Sequence, residues 1–252
     1  MRGFELKNYA IITGACGGIG QELVKAYYGA GYKVIAIDIK STSNFSEDVT
    51  FLTYDLSDVL HDEDAKSEIK KEILKVIGDG KLKVLVNNAA VQIVKPIELI
   101  TIQDWEQTLS VNLLSPFFWA QMFLNELESA SGSVLNISSI HARQTKQNFS
   151  VYATSKAGLS SLTKLMAIEL GQRIRVNAIE PGAISTQMLE DGFKSSPSKR
   201  AELDRIQPMN RIGEPAEVAE LAVFLTSDKA MFINGSVVTI DGGISNQLHD
   251  PI

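Results

Sequence analysis

Residues 9–24 read Tyr-Ala-Ile-Ile-Thr-Gly-Ala-Cys-Gly-Gly-Ile-Gly-Gln-Glu-Leu-Val, and the reading of this stretch decides the fold. Tyr9 to Thr13 is a short apolar run with the character of a strand, and a helical pattern follows from Gly18. Between them, Gly14, Gly18 and Gly20, with Ile19 enclosed, let the chain turn tightly and lay bare backbone against the positive end of a helix, where a pyrophosphate is favoured. The spacing departs from G-x-G-x-x-G, and a glycine cluster alone equally describes an ordinary strand-to-helix turn. The next strand tips the reading toward a dinucleotide. Lys33-Val34-Ile35-Ala36-Ile37-Asp38 ends on an acid 18 residues beyond Gly20. A carboxylate there accepts hydrogen bonds from ribose hydroxyls and repels a 2′-phosphate, so NAD is expected in preference to NADP, with Lys40 offsetting part of the repulsion.

Outward from this unit the alternation repeats. Thr50 to Tyr54, Val84 to Val86, Ser133 to Ser138, Arg175 to Ile179 and Ser236 to Ile240 read as further strands, apolar on both faces. Helical patterns over Gly18 to Ala30, Asp62 to Ile77, Ile102 to Glu128, Val151 to Leu170 and Pro215 to Leu225 supply the covering layers. Thr101 with Asp104 has the form of a capping box, and Pro215 suits a first helical turn. The expectation is one α/β domain, a Rossmann-type doubly wound parallel sheet with helices on both faces. Residues 187–212 break the rhythm with Gly192, Ser195, Ser196, Pro197 and Ser198. Following a strand end, this segment reads as a substrate lid or as a surface excursion; composition does not separate the two.

Composition narrows the function classes. The 252 residues are 44% hydrophobic and 21% charged, with 24 Lys+Arg against 30 Asp+Glu, a net charge of −6. An acidic chain with interleaved charges offers no continuous basic surface, so nucleic acid is not an expected partner. Cys16 has no second cysteine, and His61, His141 and His249 are too far apart in sequence for a local metal motif. Arg2, Glu5 and Lys7 precede only a brief apolar run, and no stretch approaches a bilayer span, so a cytosolic protein without a membrane partner is expected.

The chemistry is carried by a second set of residues. Residues four apart on a helix share a face, so Tyr152 and Lys156 point into one cleft if the helix begins near Val151. A phenol with pKa about 10 is a poor base at neutral pH, and an ammonium about 4 Å away supplies much of the roughly 4 kcal/mol needed to bring it near 7. Tyr152 then accepts a proton in oxidation and donates one in reduction; a helix-surface Tyr and Lys is the plain alternative. Asn87-Asn88-Ala89-Ala90, Asn112, Ser138-Ser139 and Tyr152-x-x-x-Lys156 fall in one order along the chain, followed by Pro181-Gly182-Ala183-Ile184-Ser185-Thr186, Arg211-Ile212-Gly213-Glu214-Pro215 and Asp241-Gly242-Gly243.

Together with the glycine turn, this order resembles the short-chain dehydrogenase/reductase family over nearly the whole chain. The resemblance implies that Ser139 holds the substrate oxygen, that Tyr152 is the acid/base, and that Asn112 extends a proton relay through Lys156. It also implies that Lys156 binds nicotinamide ribose. Adenine-side contacts map onto Asp55 and Leu56, ribose contacts onto Asn87 and Ala89, and carboxamide-end contacts onto Pro181, Gly182, Ile184 and Thr186. Asp55 equally suits a turn cap and Thr186 a helix cap. Ala90, Glu180 and Cys16 depart from the family pattern, Glu180 by placing a charge where a small residue is commoner.

Between Ser139 and Tyr152 the chain should form one wall of a substrate cleft, and it is polar. His141, Arg143, Gln144 and Gln147 suit hydroxyls or a carboxylate better than an acyl chain or steroid, unless they face solvent or a neighbouring subunit. The wall, with the family resemblance to glucose-type dehydrogenases, points to a sugar, sugar acid or polyol as the small-molecule substrate. A 3-oxoacyl thioester reductase and a non-catalytic NAD(H)-binding regulator are the alternatives. By resemblance the chain is expected to assemble as a homotetramer through Ile102 to Glu128, Val151 to Leu170 and its C-terminal segment.

Overall fold

The computed structural model describes residues 7–41, 44–193 and 197–248. Arg2, Glu5, residues 194–196 of the expected lid, and His249 with the rest of the tail lie outside them. Seven strands form one parallel sheet: β1 (Asn8–Thr13), β2 (Lys33–Asp38), β3 (Thr50–Thr53), β4 (Lys81–Asn87), β5 (Ser133–Ile137), β6 (Arg175–Pro181) and β7 (Val237–Ile240). Their order is β3-β2-β1-β4-β5-β6-β7. All neighbours run parallel. The winding reverses between β1 and β4, and at such a switch point the following loops part to leave a crevice at the carboxyl ends of the strands.

Alternating side chains feed two cores. Ile11, Ile35, Ile37, Leu85, Val134 and Val176 pack on one face with Trp119 and Phe123. Ala10, Ile12, Val34, Ala36, Val84, Val86 and Ile179 pack on the other with Leu23, Tyr27 and Val218. This two-sided burial is why the strands read as continuous apolar runs. The helices on the second face are α1 (Gly18–Gly29) and α9 (Pro215–Thr226); α2 (Glu63–Ile77) contributes Ile69, Ile73 and Ile77 to the first. Among the described residues, no helix is long and apolar enough to cross a membrane.

One expected helix is not continuous. Ile102 to Glu128 divides into α3 (Ile102–Leu109), a π-helical turn at Ser110–Leu114, α4 (Ser115–Met122) and α5 (Leu124–Ser129). Pro116 has no N–H for the carbonyl of Asn112 four residues back, so the regular ladder is interrupted there. Ser115 instead reaches back five residues with its amide to Ser110, while its hydroxyl bonds Leu56 O at 2.8 Å and Ser110 O at 2.7 Å. The Thr101/Asp104 capping box forms, and Pro215 stands in the first turn of α9. The segment after β6 carries α7 (Gln187–Phe193) and α8 (Pro197–Ile206), joined by Arg200 Nε to Glu190 Oε1 at 2.8 Å.

Candidate active site

At the switch point the glycine turn is pinned from both sides. Asn88, on the loop after β4, donates from its amide side chain to Thr13 O and Gly14 O, both at 3.0 Å. From the other side, the carboxylate of Asp38 accepts from Cys16 N at 2.9 Å and from Lys40 N at 3.1 Å. Asp38 is thereby built into the turn and is 8% exposed. The sequence signal for Asn88 is a polar side chain at the end of a buried strand, beside Asn87, which needs a partner.

The turn fits a dinucleotide phosphate. Gly14 has φ +63°, and a Cβ on it would lie 2.6 Å from Ala89 Cα; one on Gly18 would lie 2.8 Å from Thr186 Cγ2, and one on Gly20 2.1 Å from Gly14 O. Bare backbone is therefore required at all three. Helix α1 opens there with no side chain capping its first turn, unlike α2 with Asp62 or α3 with Thr101, so its N–H groups remain for an anion. These residues, with Asp38, would hold the cofactor.

Other expected cofactor residues have structural duties as well. Asp55 caps the 3-10 turn Leu56–Leu60, its Oδ1 accepting from Ser57 N at 2.9 Å. Leu56 is buried in the first core. The Asn87 side chain turns into the sheet, donating to Asn136 Oδ1 at 2.9 Å. Thr186 Oγ1 accepts from Leu189 N at 3.3 Å at the start of α7 while its methyl meets Gly18. Pro181 closes β6, a Cβ on Gly182 would lie 2.8 Å from Asp241 Cβ, and the buried Ile184 bridges to Gly213.

Helix α6 (Ser150–Leu170) carries Tyr152 and Lys156 on one face. Ser139 caps the short 3-10 turn Ile140–Ala142, its Oγ accepting from His141 N at 3.2 Å. The Ser139 side chain favours the ionised form of the Tyr152 phenol. The His141 ring stacks on Phe149 at 4.5 Å and meets the Tyr152 ring edge-on at 5.8 Å. The fold therefore brings Ser139, His141, Tyr152 and Lys156 together. Asn112, in the π-helical turn, is fully buried: Oδ1 accepts from Val91 N at 2.8 Å, and Nδ2 donates to Val91 O at 2.9 Å and Ser155 Oγ at 3.0 Å. Its side chain is committed to fastening the loop after β4 to α6.

The electrostatics differ from the sequence expectation. The Tyr152 phenol is not lowered: burial raises it above its ordinary value, and the Ser139 side chain only partly opposes this. Part of Tyr152 reaches solvent. Lys156 is 2% exposed and burial lowers its ammonium to about 7. Its Nζ donates to Ile137 O at 2.7 Å and lies 5.8 Å from the Tyr152 ring centroid. Burial penalises the charged form of both groups. His141 is lowered to about 4, by burial first and by the charge of Lys146 second, so the imidazole is neutral near pH 7; Nδ1 lies 2.8 Å from Thr145 Oγ1.

Arg143 and Gln147 part company. Gln147 is exposed and makes none of these contacts, whereas Arg143 Nε lies 2.8 Å from Glu180 Oε2. Glu180 is 1% exposed and its Oε1 accepts from Ser160 Oγ at 2.8 Å. Ser160 Oγ lies 2.7 Å from Ser138 Oγ, which bonds Lys156 O at 3.0 Å, so Ser138 supports α6. Gln144 Nε2 donates to Ser245 O at 2.6 Å, tying the wall to the C-terminal segment. Among the described residues no group of His, Cys, Asp and Glu could hold a metal ion.

A family model described as enoyl-(acyl carrier protein) reductase matches residues 14–245. The chain belongs to the short-chain dehydrogenase/reductase family. It is 35% identical to L-xylulose reductase of Bos taurus over 242 residues, 93% of this chain and 95% of that one. It is also 35% identical to the 3-oxoacyl-[acyl-carrier-protein] reductase of Thermotoga maritima over 241 residues, 93% and 96% of the two chains. Among solved structures, the ligand-free aldohexose dehydrogenase of Thermoplasma acidophilum superposes with TM-score 0.90 at 28% identity, covering 98% of this chain and 97% of that one. ElxO, solved with NADP bound, superposes with TM-score 0.85 at 29% identity, covering 96% and 100%. This short-chain dehydrogenase/reductase is accordingly an oxidoreductase of CH–OH groups that uses a nicotinamide cofactor.

Proposed function

We propose that this enzyme interconverts a secondary alcohol and a ketone or lactone of a sugar, sugar acid or polyol, using NAD(H). The observation that carries the cofactor choice is Asp38, whose carboxylate is locked to Cys16 N in the phosphate turn, so that a 2′-phosphate arriving beside the ribose would meet a fixed negative charge. Bound there, the nicotinamide supplies or accepts the hydride. Ser139 holds the substrate oxygen and stabilises charge developing on it. Tyr152 gives a proton to that oxygen in reduction and takes it in oxidation. Lys156, anchored on Ile137 O, positions the face of α6 on which Tyr152 stands. Asn112 holds the loop carrying Ala89 against that helix.

The polar wall supports a hydroxylated substrate: a neutral imidazole stacked on Phe149 and edge-on to Tyr152, with Thr145 near its Nδ1, is suited to exchanging hydrogen bonds with hydroxyls. Residues 187–212 act as the lid in this reading, entering at Thr186 beside the glycine turn. Ile102 on α3 and Leu165 and Ile168 on α6 are exposed and apolar, which supports assembly of copies through these helices.

A panel of polyols, sugars and 3-oxoacyl thioesters assayed with NAD and NADP in parallel tests the proposal. Turnover of polyols or ketoses with kcat/KM at least about tenfold higher for NAD is expected, and Asp38→Ser should narrow that ratio by about tenfold. Preference for NADP with a thioester would replace it by the acyl reductase reading. Tight NADH binding without turnover of any panel member would make the chain a regulator.

A further inference from the structure

Glu180 is the unusual charge of this cleft, and the structure shows what it holds. It lies at the end of β6, 1% exposed, while Arg143, four residues past Ser139 on the wall, is half exposed over it. Oε1 has an aligned donor in Ser160. Oε2, fully buried, has no aligned hydrogen bond, although Arg143 Nε stands 2.8 Å away, so charge rather than direction binds the pair. A carboxylate removed from water needs a countercharge, and the guanidinium is correspondingly unavailable as a free cation. Arg143's other contact is weak, Nη2 to Val237 O at 3.5 Å. Of the remaining wall residues, His141 is neutral and Lys146 lies 4.8 Å from the Phe149 ring centroid.

We infer that Glu180 is a specificity determinant: by cancelling the charge of Arg143 it admits uncharged polyols and ketoses and disfavours sugar acids. This rests on the sugar or polyol reading above and removes its anionic members. An incoming carboxylate is attracted by the guanidinium but repelled by Glu180 directly behind it, and cannot displace a buried partner without leaving that carboxylate uncompensated. The same carboxylate, through Ser160 and Ser138, supports the backbone at Lys156, so the charge filter and the reacting helix share one anchor.

The test compares gluconate with glucitol, by calorimetric binding to the NADH-saturated enzyme and by turnover with NAD or NADH. Glu180→Gln keeps the shape and an acceptor for Ser160 while freeing Arg143. Gluconate affinity is expected to rise at least about tenfold relative to glucitol, and the gain should vanish in Glu180→Gln with Arg143→Gln. An unchanged ratio in a folded Glu180→Gln overturns the inference. Should that variant not fold, the double variant with Glu180→Gln and Arg143→Gln, which removes the buried charge together with its partner, is compared with the wild type: an unchanged gluconate-to-glucitol ratio supports the inference, whereas selective loss of gluconate binding shows Arg143 to be an anion anchor in the wild type and overturns it. If the wild type turns over no polyol, the polyol reading fails, while the binding ratio still tests Glu180.

Discussion

Lys156 Nζ donates a 2.7 Å hydrogen bond to the carbonyl of Ile137 at the end of β5, and the ammonium is otherwise enclosed by the packing of α6 against the sheet. The group that the sequence casts as a source of positive charge is held where charge is costly. In the fold without ligand, its first role is to fasten the reacting helix to the sheet.

That burial makes stability depend on pH in a defined direction. The folded pKa, about 7, lies below the unfolded value, so between these limits the unfolded chain binds the extra proton and stability rises with pH. At pH 6 the buried ammonium costs on the order of 4 kcal/mol, and losing the bond to Ile137 O gives back about 1–2 kcal/mol. Lys156→Met should therefore be more stable than wild type by about 2 kcal/mol at pH 6, with the advantage shrinking toward pH 9. Urea unfolding at the two pH values measures this, and a variant less stable at pH 6 would contradict the cost of burial.

Tyr152→Phe removes the proton donor while keeping the ring on which His141 and Phe149 pack. Turnover should fall by about 10³-fold with NADH binding retained, within the usual range for general acid–base catalysis. Because the free phenol is held protonated, alcohol oxidation by the wild type should climb with pH above neutrality, whereas ketone reduction should stay level there. Near-normal turnover of the variant would remove Tyr152 from the proton transfer.

His141 titrates near 4 in the fold against an ordinary value of 6.5, so stability conferred by its neutral form is full above 6.5 and is lost as pH falls to about 4. Allowing for partial exposure, the loss attributable to it is about 1–2 kcal/mol. His141→Asn should flatten that part of the acid limb, read from melting temperatures at pH 7, 5.5 and 4.5. Wild-type kcat/KM should show no inflection near 6.5 from this group; an inflection absent from the variant would show that the imidazole charges in the working enzyme.

Asn112→Ala orphans the N–H and C=O of Val91, and should destabilise the protein by about 2–4 kcal/mol. Activity should fall through a raised KM for the cofactor, because the loop bearing Ala89 loses its fastening. A fall in kcat alone, at unchanged melting temperature, would assign Asn112 to the proton relay instead.

Much of the sheet was legible along the chain. Lys33–Asp38 begins and ends where its apolar run does, and the glycine turn sits between a strand and a helix as its neighbours require. The long helical pattern from Ile102 failed because Pro116 outweighs apolar spacing, and the break is what places Asn112 in a π-helical turn. At the site, Ser139, Tyr152 and Lys156 were legible as a constellation, but the direction of the phenol's shift was not. Spacing puts two side chains on one face of a helix; it does not report how much water each retains.

What the sequence by itself determined is therefore the set of elements and the short-range chemistry: which runs pair as strands, where the backbone must be bare, and which residues share a helical turn. These follow from patterns of period 2 and 3.6 and from conformational freedom at glycine, all properties of neighbouring residues. Only the tertiary structure decided that Glu180 meets Arg143, that Asp38 closes on Cys16 N, and that Lys156 faces Ile137 O rather than water. Partners distant in the chain are chosen by packing, and the charge state of a buried group follows from its partners and its loss of solvent.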